Sequence, residues 1–136
     1  MSTMQQALVL VSVLAVVLQM HAAPPPKPAF FAKCMADNHV TPADFKNFAK
    51  TGEASDNLKC NFKCIMMEGG MLSEDGKINP EPMLQHTPEK IHDVVKECSK
   101  IEASADLCDV AYRQHKCVRD KATEWFQEMT EAHDKQ

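Results

Sequence analysis

The chain has 136 residues, 44% of them hydrophobic, with 15 Lys and Arg against 19 Asp and Glu for a formal net charge of −4. That length suits a single domain. The mild acidity, with no long run of like charge and no basic stripe interleaved with aromatics, argues against a nucleic-acid partner.

The opening MSTMQQALVLVSVLAVVLQMHAA has a polar start, an apolar run from Ala7 to Leu18 and small residues before a triple proline. This is the outline of a secretory leader, although it lacks a basic start. The run is too short to cross a bilayer, which takes roughly twenty residues, and no later stretch reaches that length. A leader over residues 1–23, cleaved after Ala22 or Ala23, and one secreted domain over residues 24–136 are expected. A retained N-terminal core helix is the poorer reading, because the prolines would sever it from the next helix. The secreted part carries no Asn-x-Ser/Thr acceptor, so N-glycosylation is not expected.

Helical periodicity dominates the rest. PAFFAKCMA, starting at Pro28, reads as a short first helix. TPADFKNFAKTG is better marked: Thr41 caps, Pro42 takes the first helical position, Asp44 sits in the first turn and Gly52 ends the helix. SDNLKCNFKCIMMEGG comes next, capped by Ser55 or Asp56 and stopped at Gly69-Gly70, with Leu58, Phe62, Ile65 and Met66 on one face. LSEDGKINPE has the Asp75-Gly76 pair of a calcium loop, but that register puts Met71 and Pro82 at the end ligand positions, where neither can coordinate. It reads as a turn. NPEPMLQH is one or two helical turns after an Asn79 cap. TPEKIHDVVKECSKI repeats the Thr-Pro-acid opening at Thr87, with Ile91, Val94, Val95, Cys98 and Ile101 on one stripe. A last helix runs from about Asp106 past Lys121, and Val118, Ala122, Trp125, Phe126 and Met129 carry its period into the tail. The expected class is all-α, with about six helices.

All six cysteines lie after the leader, and an even number in an oxidising compartment reads as three disulfides. Zinc would want two closely spaced pairs, and only Cys60 and Cys64 form one. Those two share a helix face with β-carbons about 5–6 Å apart, against roughly 3.8 Å in a disulfide, so both should reach outward. Cys108 and Cys117 face opposite sides of one helix, about 13 Å apart along its axis. Neither pair should bond internally; the remaining pairings stay open.

The gaps between successive cysteines are 25, 3, 33, 9 and 8 residues. This order resembles the six-cysteine pattern of the insect odorant-binding proteins, the pheromone- and general-odorant-binding family, and the resemblance covers the whole secreted part. It implies the bonds Cys34–Cys64, Cys60–Cys108 and Cys98–Cys117, and reversible binding of small apolar molecules in a cavity enclosed by the helices. The implied product is a carrier that takes odorants, pheromones or similar molecules through extracellular fluid, a chemosensory receptor being one further partner. A monomer or weak homodimer is expected, with no metal and no cofactor. A secreted reproductive or haemolymph factor on the same scaffold, acting through protein contacts, is the alternative, and an unrelated helical cytokine-like factor a distant third.

Candidate cavity residues come from the converging stripes. They are Phe45 and Phe48 on the second helix, Phe62, Ile65 and Met66 on the third, and Met71, Leu72, Met83 and Leu84 in the stretch after it. Val94 and Val95 come from the fifth helix, Ala111, His115 and Val118 from the sixth, and Trp125 and Phe126 from the tail. A stripe at helical spacing is also what a solid core looks like, so the cysteine pattern carries the cavity reading. Flexible Met66, Met67, Met71 and Met83 suit an adaptable lining or plain gap-filling. Trp125, Phe126 and Met129 are expected to dock over or into the site. Some members of the family release cargo on acidification, and of five histidines after the leader, His39, His86, His92, His115 and His133, His115 is the candidate sensor. Catalysis has little support: disulfide-bonded cysteines offer no nucleophile, and the neighbours in His92-Asp93 and His133-Asp134 point about 100° apart on a helix.

Overall fold

The structure is a computed structural model that describes residues 27–135. The leader read over residues 1–23 lies outside the described residues. Among those described there are seven α-helices and no strand: α1 Ala29–Asp37, α2 Pro42–Thr51, α3 Asp56–Glu68, α4 Glu81–Leu84, α5 His92–Cys98, α6 Leu107–Lys121 and α7 Thr123–Asp134. A 3-10 turn, Glu89–Ile91, precedes α5, and Leu72 and Ile78 form an isolated antiparallel bridge.

Local chemistry explains most of the boundaries. Asn38 ends α1 by donating its side-chain amide to Cys34 O at 2.9 Å. His39, at φ 55°, then turns the chain so that Val40 N bonds Met35 O at 2.9 Å. At α2 the Asp44 carboxylate accepts from Thr41 N at 2.8 Å and from the Thr41 hydroxyl at 3.1 Å, and Gly52 closes the helix at φ 74°. Ser55 Oγ accepts from Leu58 N at 3.2 Å to start α3. Asp106 Oδ1 accepts from Asp109 N at 3.1 Å to start α6.

Two boundaries depart from the sequence reading. The Thr-Pro-acid motif at Thr87 does not open a regular helix: Glu89–Ile91 is 3-10, and Ile91, at φ −112° and ψ 4°, separates it from α5. At Thr41 the acid stands three residues on and can reach back to the capping residue; at Thr87 that third place is Lys90, which has no acceptor to offer. The second departure is at Ala122, whose φ of −131° and ψ of 48° divide the expected continuous last helix into α6 and α7. Thr123 Oγ1 donates to Arg119 O at 2.8 Å, a side-chain bond that competes with helical continuation.

Three disulfides brace the bundle. Cys34–Cys64 ties α1 to α3, Cys60–Cys108 ties α3 to α6, and Cys98–Cys117 ties α5 to α6. α6 packs along α3, and α7 folds back onto α2. The segment between α3 and α4 is anchored at Gly76, at φ 81°, where an added Cβ would lie 2.7 Å from Ser104 O and 3.0 Å from Ser104 N. Gly76→Ala combines left-handed strain with a backbone clash and is expected to cost about 2 kcal/mol. Urea unfolding measures it; an unchanged midpoint would contradict this account of the loop.

Candidate functional site

The centre of the bundle is aromatic. Phe48 of α2 meets Phe62 of α3 with ring centroids 4.9 Å apart, and Phe126 of α7 at 5.6 Å. Phe45 approaches Phe62 edge-on at 6.0 Å. The imidazole of His115 on α6 lies parallel to the Phe62 ring, at 4.0 Å and 14°. Around these rings the buried cluster includes Leu58, Met66, Leu72, Val110, Ala111 and Val118.

Of the side chains expected to line a cavity, Phe48, Phe62, Ile65, Met66, Leu72, Val95, Ala111, Val118 and Phe126 are buried. Phe45, Met71, Val94 and Trp125 are partly buried and pack against the cluster. Met83 and Leu84, on the one-turn α4, are half-buried. In this structure the ring of Phe48 packs against both Phe62 and Phe126 at the heart of the bundle. Offset and edge-on ring contacts of this kind add attraction beyond the area they bury.

Two clefts open at the surface. One, of about 370 Å³, runs between the 3-10 turn, α5 and the α6–α7 junction, and is lined by Lys90, Ile91, Val94, Lys121, Ala122, Thr123, Glu124, Trp125 and Glu128. It draws in only Val94 and Trp125 of the expected lining residues. The other, of about 300 Å³, lies over the Cys60–Cys108 bond among Asp56, Lys59, Asp106 and Asp109. Both mix charges of either sign and leave little continuous apolar wall.

The tail is held in place by more than its apolar face. Arg119 of α6 donates to Ala49 O at 3.1 Å and Lys50 O at 2.6 Å, and Gln127 of α7 donates to Ala49 O at 3.3 Å. The Tyr112 hydroxyl donates to Gly52 O at 3.0 Å. These bonds satisfy the carbonyls that end α2, which no helical partner can reach. Phe126 is buried against Phe48, while Trp125 and Met129 pack against the cluster from outside. α7 therefore covers the aromatic centre on the α2 side.

Sequence reasoning passed over Arg119, Tyr112 and Gln127 as site residues, and over two buried amides, Asn61 and Gln114. The signal was present for the amides: Asn61 lies on the stripe Leu58, Phe62, Ile65, and Gln114 on the stripe Val110, Ala111, Val118. A polar letter on an apolar stripe is easily taken for its edge. His115 also differs from expectation. Although its edge keeps some exposure, desolvation lowers its pKa to about 4, against a smaller opposing effect of its Nδ1 contact with Ala111 O at 3.0 Å. Burial likewise lowers the pKa of His133, with Lys27 adding to the effect. Among the described residues no group of three or more His, Cys, Asp or Glu side chains could hold a metal, and no helix is long and apolar enough to cross a membrane.

Residues 28–121 match the model of the PBP/GOBP family. The chain belongs to the PBP/GOBP family. It is similar to general odorant-binding protein 19d of Drosophila melanogaster, 31% identical over 83 residues that cover 54% of this chain and 55% of the fly protein. It thus spans about half the length of that relative. Among solved structures it is similar to the odorant-binding protein lmigOBP1 of Locusta migratoria, with 26% identity, a TM-score of 0.69, and coverage of 84% of this chain and 96% of the locust chain. The medfly odorant-binding protein CcapOBP22/CcapOBP69a shares the fold at 19% identity and a TM-score of 0.61, with 76% of this chain and 94% of that chain covered. This PBP/GOBP chain accordingly has the all-helical, disulfide-braced fold of insect odorant-binding proteins.

Proposed function

We propose that this PBP/GOBP protein is a secreted carrier that reversibly binds small hydrophobic molecules among its central rings and delivers them through extracellular fluid. The observation that carries the reading is the convergence of Phe48, Phe62, Met66 and Phe126 from three helices on one buried apolar cluster inside a covalently braced shell. The names of its relatives as odorant-binding proteins support the same class of cargo. Residues 1–23 act as the secretory leader and residues 24–136 as the working domain in this proposal. The fluid is sensillar lymph, haemolymph or reproductive fluid, and a chemosensory receptor is the further partner. The working unit is a monomer or weak homodimer, with no cofactor and no enzymatic step.

Binding proceeds by exchange of contacts. A guest replaces ring–ring contacts with ring–guest contacts, and Met66, Met71 and Met83 supply flexible stems that re-pack around it. Phe126 and α7 must shift to admit it, since they cover the α2 side.

A second reading is favoured by the close packing of those same rings: a reproductive or haemolymph factor that works through protein contacts. One experiment separates the two. The secreted domain, oxidised, is titrated with the fluorescent apolar probe N-phenyl-1-naphthylamine, and native mass spectrometry is run on protein purified from its source. Micromolar probe binding and a co-purifying small molecule are expected. An empty chain that leaves the probe dark would hand the case to the second reading.

A further inference from the structure

Two uncharged amides sit inside the shell without the partners that buried polar groups normally have. Asn61 on α3 is 0% exposed and Gln114 on α6 is 1% exposed. Asn61 Oδ1, Asn61 Nδ2 and Gln114 Oε1 make no hydrogen bond to any described residue. Gln114 Nε2 finds only Met83 Sδ, at 3.7 Å, a weak acceptor. Burying such groups unpaired costs about 1–3 kcal/mol each by mutational measures. Leucine at either place would avoid that cost, so packing does not account for the two amides.

Their placement is informative. α3 and α6 are joined by Cys60–Cys108 and packed along each other. Asn61 and Gln114 each immediately precede one member of the stacked Phe62–His115 pair, whose rings are 4.0 Å apart. The unpaired polar atoms thus belong to the two helices that form the aromatic centre.

We propose that Asn61 and Gln114 are specificity-determining residues of the interior site, and that they select apolar molecules carrying a hydroxyl group. The proposal rests on the carrier reading. Its chemical basis is the balance of unmet bonds: two carbonyl oxygens, Asn61 Oδ1 and Gln114 Oε1, need donors, and Asn61 Nδ2 needs an acceptor. A hydroxyl donates one proton and accepts as well, so a single one can pair one of the two amide oxygens and Asn61 Nδ2. A ketone or ester only accepts and would leave both amide oxygens unpaired, and an alkane satisfies nothing. An ammonium would satisfy the oxygens but bring a charge into an apolar centre at far greater cost. Turning Asn61 over exchanges two unpaired ends and leaves its requirement unchanged. Turning Gln114 over would set its oxygen against Met83 Sδ, which has no proton to donate, so the orientation with Nε2 on the sulfur is the better one. Met83 is the group displaced: its weak N–H···S contact, on the half-buried one-turn α4, gives way to N–H···O.

The test compares three guests of equal chain length, decan-1-ol, decan-2-one and decane, by displacement of N-phenyl-1-naphthylamine from the oxidised secreted domain. The alcohol is expected to bind about tenfold more tightly than the ketone or alkane. In Asn61→Leu and Gln114→Leu that preference should shrink to about threefold or less while decane binds at least as well as before. A measurement on the unaltered ¹⁵N-labelled protein guards against variants that fail to fold: the side-chain NH₂ signals of Asn61 and Gln114 should shift with decan-1-ol and not with decane. Equal affinity for all three guests overturns the proposal and leaves the carrier reading standing. So does a preference that survives both substitutions, or NH₂ signals that ignore the alcohol and contact a resident water instead. If no guest displaces the probe because the probe never binds, both fail together.

Discussion

Removing the Cys60–Cys108 bond, by replacing both cysteines with alanine, is expected to lower the unfolding free energy by about 4 kcal/mol, the largest loss among the three bridges. The bond closes a separation of 48 residues, against 30 for Cys34–Cys64 and 19 for Cys98–Cys117. Loop-closure entropy grows with the logarithm of that length, so the ordering is expected to be clear but shallow, with the shortest bridge about 1 kcal/mol behind. The hub bond also joins α3 to α6, which carry Phe62 and His115 on facing surfaces. Its loss should therefore loosen the site as well as the fold. Urea unfolding of the oxidised double variants, at matched pH, gives the comparison. A loss under about 1 kcal/mol for Cys60/Cys108 would show that packing alone holds these helices together.

The second large effect is acid destabilisation through His115. Its pKa in the folded state is about 4, below the ordinary 6.5, because burial against Phe62 disfavours the imidazolium. Between those values the unfolded chain takes up a proton that the folded chain refuses. The stabilisation is thus complete above pH 6.5, falls as pH drops from 6.5 to 4, and levels off below. Each tenfold loss of proton affinity on folding is worth about 1.4 kcal/mol, which makes the total on the order of 3 kcal/mol. In His115→Gln, stability measured by urea unfolding should lose most of this decline, and NMR titration of the unaltered protein should place the His115 midpoint near 4. A midpoint near 6.5 would contradict the burial argument. The low pKa also alters the expected sensor role: in the folded protein His115 stays largely neutral from pH 7.4 to 5. Acid is then expected to act by making any opening that exposes the imidazole easier, because the freed ring gains its proton, and not by charging the closed site.

Much of this protein is written in local chemistry. Thr41, Pro42 and Asp44 start α2 and Gly52 ends it; Ser55 and Gly69 bound α3; the apolar stripes of α3, α5 and α6 assign which faces turn inward. Each is decided within one or two helical turns, by capping, by φ or by the 3.6-residue period, so neighbouring residues suffice to read it. The cysteine spacing belongs with these features as far as it forbids Cys60–Cys64 and Cys108–Cys117, since both arguments use only the geometry of one helix.

Tertiary packing decided what one helix cannot. Which of the remaining cysteine pairings forms depends on how α1, α3, α5 and α6 cross. The break at Ala122 lets α7 lie on α2, where Arg119 and Gln127 reach Ala49 O from 70 and 78 residues away in sequence. The meeting of Phe48, Phe62, Phe126 and His115, the low pKa of that histidine and the unpaired amides of Asn61 and Gln114 are all consequences of what faces what. Period and capping tell a side chain to turn inward; only the partners it meets there determine whether it packs, ionises or waits for a guest.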